Sequence, residues 1–248
     1  MYLDVVDLKA FYSDRLGVIA RRLIGLRIRR LWPTVTGDRI LGVGYATPYL
    51  GQLGDDAVCR IAMMPAAQGV IGWPSAGPNA AALVLDDALP LPGSAMDRVL
   101  AVHSLEAADS PIEVLREIWR VLAPGGRLIA VVPNRVGVWS RVERTPFGTG
   151  YPFSRTQMTM LLREAMFSPI AWTHALAMPP LRSGVLLRTG TSWERIGTRI
   201  WPRLSGVLIV EATKLLHQRI PASRRASRER RLQPALAPPA GMRRAQED

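Results

Sequence analysis

The chain reads as an α/β protein built on a doubly wound, mostly parallel, seven-stranded sheet with helices on both faces. Three observations predict this. Five short apolar runs recur between residues 39 and 132, each flanked by turn residues. Helical patterns with cap signals alternate with them, and two further strand-like runs follow near residues 169–177 and 207–212. Uninterrupted apolar runs suit strands buried on both faces, as parallel strands are, better than half-exposed antiparallel ones.

The chain has 248 residues, 48% of them hydrophobic, enough for one sizeable core. Residues 5–31 are expected to form one amphipathic helix. Leu16, Ile19, Leu23, Ile24, Ile28 and Leu31 recur at helical spacing with arginines between them. Trp32-Pro33 ends it, because a residue before proline is pushed out of the α region. This helix, residues 1–33, is set apart from a main domain at 34–215 and a basic tail at 216–248. Packing against the domain edge is the favoured role, with a lid or a membrane-surface helix as alternatives.

Strands are predicted at Arg39–Gly44, Val58–Met64, Ala80–Leu85, Asp97–Val102 and Arg127–Val132. Ser110-Pro111-Ile112-Glu113 has the form of a capping box opening a helix, with Ile112, Leu115, Trp119 and Leu122 as its apolar stripe. Pro124-Gly125-Gly126 turns that helix into the next strand. A second capping box, Ser154 to Gln157, opens a helix with Met158, Leu161, Leu162 and Ala165 inward. A helix is expected around Trp193–Trp201. Apolar periodicity fades from about Ser223, where arginine, proline and alanine dominate and a disordered tail is expected.

Composition narrows the function. No stretch is long and apolar enough for a membrane span. No basic region followed by an apolar stretch opens the sequence, so no secretory signal is expected and the compartment reads as cytoplasmic. Cys59 is the only cysteine, which excludes an internal disulfide and a multi-cysteine zinc site. His103, His174 and His217 are too widely spaced for a local metal motif, and no metal is expected. The formal net charge is +12. Arginines cluster at residues 15–30 and again at 219–244, so the candidate partners are an anionic membrane surface or nucleic acid through the tail, and a protein.

Three stretches carry the candidate site. Gly42-Val43-Gly44-Tyr45-Ala46 follows the first strand, where spaced glycines let a ligand approach the backbone closely. A structural turn is the plain alternative. Asp86-Asp87-Ala88 ends the third strand, at the sheet edge where open α/β folds bind ligands; an Asp-rich turn would look the same. The third is Arg120-Val121-Leu122-Ala123-Pro124-Gly125-Gly126, whose physics is structural.

Over residues 36–135 these elements, in this order, resemble the class I (Rossmann-like) S-adenosylmethionine-dependent methyltransferases, especially the type 11 group. The resemblance implies S-adenosylmethionine as cofactor. It implies that Gly42, Gly44 and Ala46 line its methionine part, and that Asp86 or Asp87, with Ala88, lies near adenine. His103, just past the fourth strand, matches a position that lines the site and is a candidate general base. Two departures stand out. Ile40 replaces the family's acid two residues before the first glycine, and the second strand ends Met63-Met64-Pro65 without the acid that holds the ribose. Charge-assisted hydrogen bonds of that kind contribute roughly 1.5–3 kcal/mol each. Gln68 is the candidate neutral substitute.

A sulfonium is already an activated methyl donor, so no triad or metal is required. Residues 135–153, with Trp139, Phe147, Tyr151, Phe153, Arg141 and Arg144, are the candidate acceptor region, or else pack the loop onto the sheet. The expected activity is methyl transfer to an unidentified small or lipidic acceptor. The alternative is a noncatalytic, methyltransferase-like scaffold or partner-binding module. A nicotinamide oxidoreductase ranks last, since its fingerprint calls for glycine or alanine where Thr47 stands and an acid after the second strand.

Overall fold

The computed structural model describes residues 3–180 and 204–216. These belong to a first unit, Met1–His217; the second, Gln218–Asp248, lies outside the described residues, as do the expected helix at 193–201 and the arginine-rich tail.

The elements run α1 (Val5–Ser13), α2 (Arg15–Leu31), β1 (Arg39–Gly44), α3 (Thr47–Leu50), β2 (Cys59–Pro65), β3 (Ala81–Val84), β4 (Met96–Val102), α4 (Pro111–Val121), β5 (Leu122–Pro133), α5 (Arg155–Glu164), β6 (Phe167–Ala175) and β7 (Val207–Lys214). The seven strands form one sheet in the order β3-β2-β1-β4-β5-β7-β6. β1 to β5 pair in parallel, and β7 lies antiparallel between β5 and β6. Chain order reverses between β1 and β4, so the carboxyl ends of those two strands frame the crevice where such sheets take ligands.

Alternate residues of the central strands feed two cores. Ile40, Leu100, Val102, Ile129, Val131 and Ile209 pack with α1, α2 and α3. Leu41, Val43, Val99, Ala101, Leu128, Ala130 and Val210 pack with α4 and α5 on the other face. The period-2 alternation of strand side chains makes one buried run serve both layers. The N-terminal segment is thus built into the same core as the sheet. Winding is uneven: among the described residues, α3 is a single turn and no helix joins β2 to β3 or β3 to β4.

The structure corrects several local expectations. Residues 5–31 form two helices, because Asp14 adopts an extended backbone (φ −75°, ψ 159°) at the joint. Ser110 makes no side-chain cap. Its carbonyl accepts from the backbone N–H of Glu113 and Val114, while the Glu113 carboxylate pairs with Arg116. The buried face of α4 is Val114, Leu115, Ile118 and Val121, rotated from the expected stripe, with Ile112 and Trp119 only partly buried. Pro124-Gly125-Gly126 lies within β5, which starts at Leu122. The Ser154–Gln157 box forms as expected, Ser154 Oγ accepting from Gln157 N–H and Gln157 Oε1 from Ser154 N–H. Met158, Leu162 and Ala165 are buried beneath it, and Leu161 partly so.

Candidate functional site

β1 delivers Gly42 and Gly44 to the crevice. Gly44 has φ +74° and sits against the carbonyl oxygens of Val102, the last residue of β4, and of His103 just beyond it, where a side chain would collide with backbone. Gly42 gives room to Leu50 and Ala46, which let the short α3 lie close on the strand. The glycines serve close approach, as the sequence indicates, but what approaches is the chain itself. Tyr45, Ala46 and Tyr49 are buried in the same cluster.

His103 lies beyond β4 in the left-handed region (φ +51°) and is buried. Its Nδ1 faces Glu106 Oε1 at 3.1 Å and its Nε2 faces Tyr12 Oη at 2.8 Å. A carboxylate only accepts, so the consistent arrangement puts the proton on Nδ1, with Tyr12 donating to Nε2 and Tyr49 donating to Tyr12 at 3.0 Å. Phe147 covers the imidazole, ring centroids 5.0 Å apart, and Tyr45 stacks on Tyr12. Burial drives the Tyr12 and Tyr49 hydroxyls well above the ordinary tyrosine range, so both stay protonated donors. Gln68 Nε2 donates to the His103 carbonyl, and Val5 N–H donates to the Gln68 carbonyl. Gly44, Gln68 and His103 are thereby joined.

Helix α1 closes this crevice. Leu8 and Tyr12 are fully or almost fully buried, and the space left between Leu3, Leu8, Gln68, His103, Glu106 and Thr149 is about 10 Å³. Around it, Gln68 Oε1, Ser104 Oγ and Glu106 Oε2 are buried without hydrogen-bond partners. Buried acceptors left unmatched cost about 1–3 kcal/mol each, so such a cluster marks a place that a polar ligand would satisfy.

Asp86 is half-buried while Asp87 and Ala88 are exposed. They lie in a turn closed by a Leu85–Ala88 bridge, beyond the edge strand β3. They follow β3, whereas His103 follows β4. The 135–153 loop divides in the same way. Trp139, Phe147 and Phe153 are buried packing residues, whereas Tyr151 is 73% exposed and borders a 620 Å³ depression with Arg135 and Met160. Sequence reading missed Tyr12, Tyr49 and Glu106. The available signal was Glu106, an acid three residues after His103; nothing local ties Tyr12 to a residue 91 positions away.

Residues 41–130 match the methyltransferase domain model of the type 11 group. Over those residues the chain is similar to the S-adenosylmethionine-dependent methyltransferase domain. No curated protein sequence matches it. Among solved structures it is similar to a methyltransferase of Thermotoga maritima, with 17% identity, a TM-score of 0.57, and 85% of this chain and 96% of that one covered. A methyltransferase of Archaeoglobus fulgidus gives 18% identity and a TM-score of 0.56, with 85% and 100% covered. The [4+2]-cyclase SpnF gives 21% identity and a TM-score of 0.50, with 77% and 82% covered. At these identities the likeness is one of fold.

Similarity to that domain implies S-adenosylmethionine as the cofactor. The unmatched acceptors Gln68 Oε1 and Glu106 Oε2 suit a ligand that carries donors. The volume suits only a single water, against several hundred Å³ for a ligand of that size. Those acceptors are compatible with such a ligand, and with α1 as it lies the space between them holds no more than a water. The β2 end, Met63-Met64-Pro65, is buried and supplies no carboxylate.

Proposed function

We propose that the chain transfers a methyl group from S-adenosylmethionine to a small or lipidic acceptor bearing a hydroxyl or amine, in a form in which α1 has left the crevice. The observation that carries this reading is the buried Glu106–His103 pair beside the glycine loop, with Tyr12 of α1 on the remaining imidazole nitrogen. Gln68, Glu106, Ser104 and the Gly42–Ala46 backbone are the groups that would hold the cofactor, which when bound supplies an activated methyl on a sulfonium. Asp86 to Ala88 remain candidates for its adenine end. Withdrawal of Tyr12 frees Nε2 of His103. Glu106 holds the ring by Nδ1 and would stabilise the imidazolium formed when Nε2 takes the acceptor's proton. Phe147 and the apolar residues around it limit water at that nitrogen.

The test incubates purified protein with methyl-labelled S-adenosylmethionine and a small-molecule extract. Label should enter a hydroxyl- or amine-bearing product, and His103→Asn should lower that transfer at least about a hundredfold, within the usual range for a lost general base. Equal transfer by His103→Asn would remove the base assignment. Absence of transfer with both the native chain and a variant loosened at α1 would reject the activity.

A second reading is supported by the closed crevice itself. A domain with α1 permanently seated would be a scaffold or would do other chemistry. The likeness to SpnF, whose name is that of a cyclase, is a reminder that the fold does not dictate the reaction.

A further inference from the structure

Away from the His103 crevice, the absence of a helix between β2 and β3 leaves an open groove of about 1190 Å³. Its lining comes from α1, α2, α3 and the segment after it, the start of β2, and the 71–80 loop. Its charge is one-sided. Lys9, Arg21, Arg22 and Arg60 line it, against a single lining acid, Asp55. Asp55 is taken by Arg60 at 2.9 Å, and Arg60 spends a further nitrogen on the Leu50 and Leu53 carbonyls. Lys9, Arg21 and Arg22 are exposed, and among the described residues no acid pairs with them. The neighbouring Asp56 is engaged by the Thr36 hydroxyl instead.

The same groove carries an aromatic surface. Trp73 is half-buried, packed against the core on one side, and lines the groove with Ile71. Thr47, Ser13, Gln52 and Ser75 add neutral hydrogen-bonding groups along the same groove. Tyr45, whose hydroxyl is held above the ordinary tyrosine range chiefly by burial, also lines the groove. Cations with no acidic partner among the described residues, sharing one groove with an indole, match a ligand that combines phosphate with a planar ring, since arginine and lysine take phosphate and an exposed indole stacks on bases.

We propose that this groove binds a nucleotide, its phosphate held by Lys9, Arg21 and Arg22 and its base against Trp73. The ligand is either a free nucleotide or a nucleotide unit of a single strand. The site is separate from the cofactor crevice, although Tyr12 borders both regions.

Calorimetric titration of the full chain with adenosine 5′-monophosphate, adenosine, inorganic phosphate and a short single-stranded oligonucleotide, at low and at physiological salt, tests this. Adenosine 5′-monophosphate should bind more tightly than either adenosine or phosphate. The exposed double variant Arg21→Glu/Arg22→Glu should weaken it at least tenfold, and so should Trp73→Ala, each checked for native folding by circular dichroism. Much tighter oligonucleotide binding that falls steeply with salt would assign the site to a strand, and equal binding to the free nucleotide; both uphold the groove. Affinity unchanged in the double variant would overturn the proposal. So would competition by S-adenosylhomocysteine, which would place the nucleotide in the cofactor crevice, and so would binding of phosphate alone as tight as that of the nucleotide.

Discussion

Three glycines with different surroundings allow the close packing at the β1 turn to be measured. Gly44→Ala has two costs. Its φ of +74° is unfavourable for an L-residue by about 1–2 kcal/mol. Its new methyl would also press into the Val102 carbonyl and lie 2.9 Å from Ser104 Cβ, and because Gly44 is paired with Val102 in the sheet the backbone has little freedom to yield. Overpacking of that kind costs about 1–3 kcal/mol, for a total of about 2–5 kcal/mol. Gly37→Ala shares the positive φ, +77°, but has nothing within 4 Å, so only the conformational cost of about 1–2 kcal/mol remains. Gly51→Ala has φ −69°, ψ −8° and open space, and should be neutral or stabilising by about 0.4–1 kcal/mol. Urea unfolding of the three variants at equal slope gives the comparison. If Gly44→Ala falls within about 0.5 kcal/mol of Gly37→Ala, the tight approach of β1 to β4 is wrong.

Other consequences are simpler. Ser154→Ala should destabilise by about 1 kcal/mol, since it removes a formed capping box, whereas Ser110→Ala should stay within about 0.5 kcal/mol because its side chain caps nothing; thermal unfolding separates them. His174, whose Nδ1 is buried without a partner, has its pKa lowered by burial and then by the Arg155 and Arg27 charges. The unfolded chain, with a histidine near 6.5, therefore binds the proton first. Stability should be level in this group's contribution above about pH 6.5 and fall as pH drops from there through the lowered folded value. His174→Gln should flatten that part of the unfolding profile, and an unchanged slope would contradict the assignment.

The sheet was largely legible because its central strands are buried on both faces and carry unbroken apolar runs. β1, β4 and the inner half of β5 lie where the composition puts them. What local pattern could not show was set by contacts distant in sequence. The α1–α2 joint at Asp14 interrupts an apolar period that continues on both sides, so periodicity alone reads through it. At Ser110 the motif was present, but Arg116 captured the glutamate that the box required. The buried face of α4 departs from its apolar stripe because Trp119 is large yet lies at the margin, its indole N–H donating to the Leu215 carbonyl. At the site, the glycine loop and His103 were legible as motifs. Their enclosure by Tyr12, Leu8 and Phe147 was not, since it depends on how an N-terminal helix and a loop beyond β5 meet over β4.

The central claim is that cofactor binding and the seated α1 compete for one crevice. Calorimetric titration of S-adenosylhomocysteine into the native chain and into Leu8→Ala tests it most directly. Leu8 is fully buried, and its truncation should weaken the α1 seat by about 2–5 kcal/mol. An apparent affinity limited by the open fraction should then rise, by tenfold for each 1.4 kcal/mol until the open form predominates. Tighter binding by Leu8→Ala is the predicted result. Equal affinity in the two proteins would contradict the competition, and no binding by either at millimolar concentration would contradict the methyltransferase reading itself.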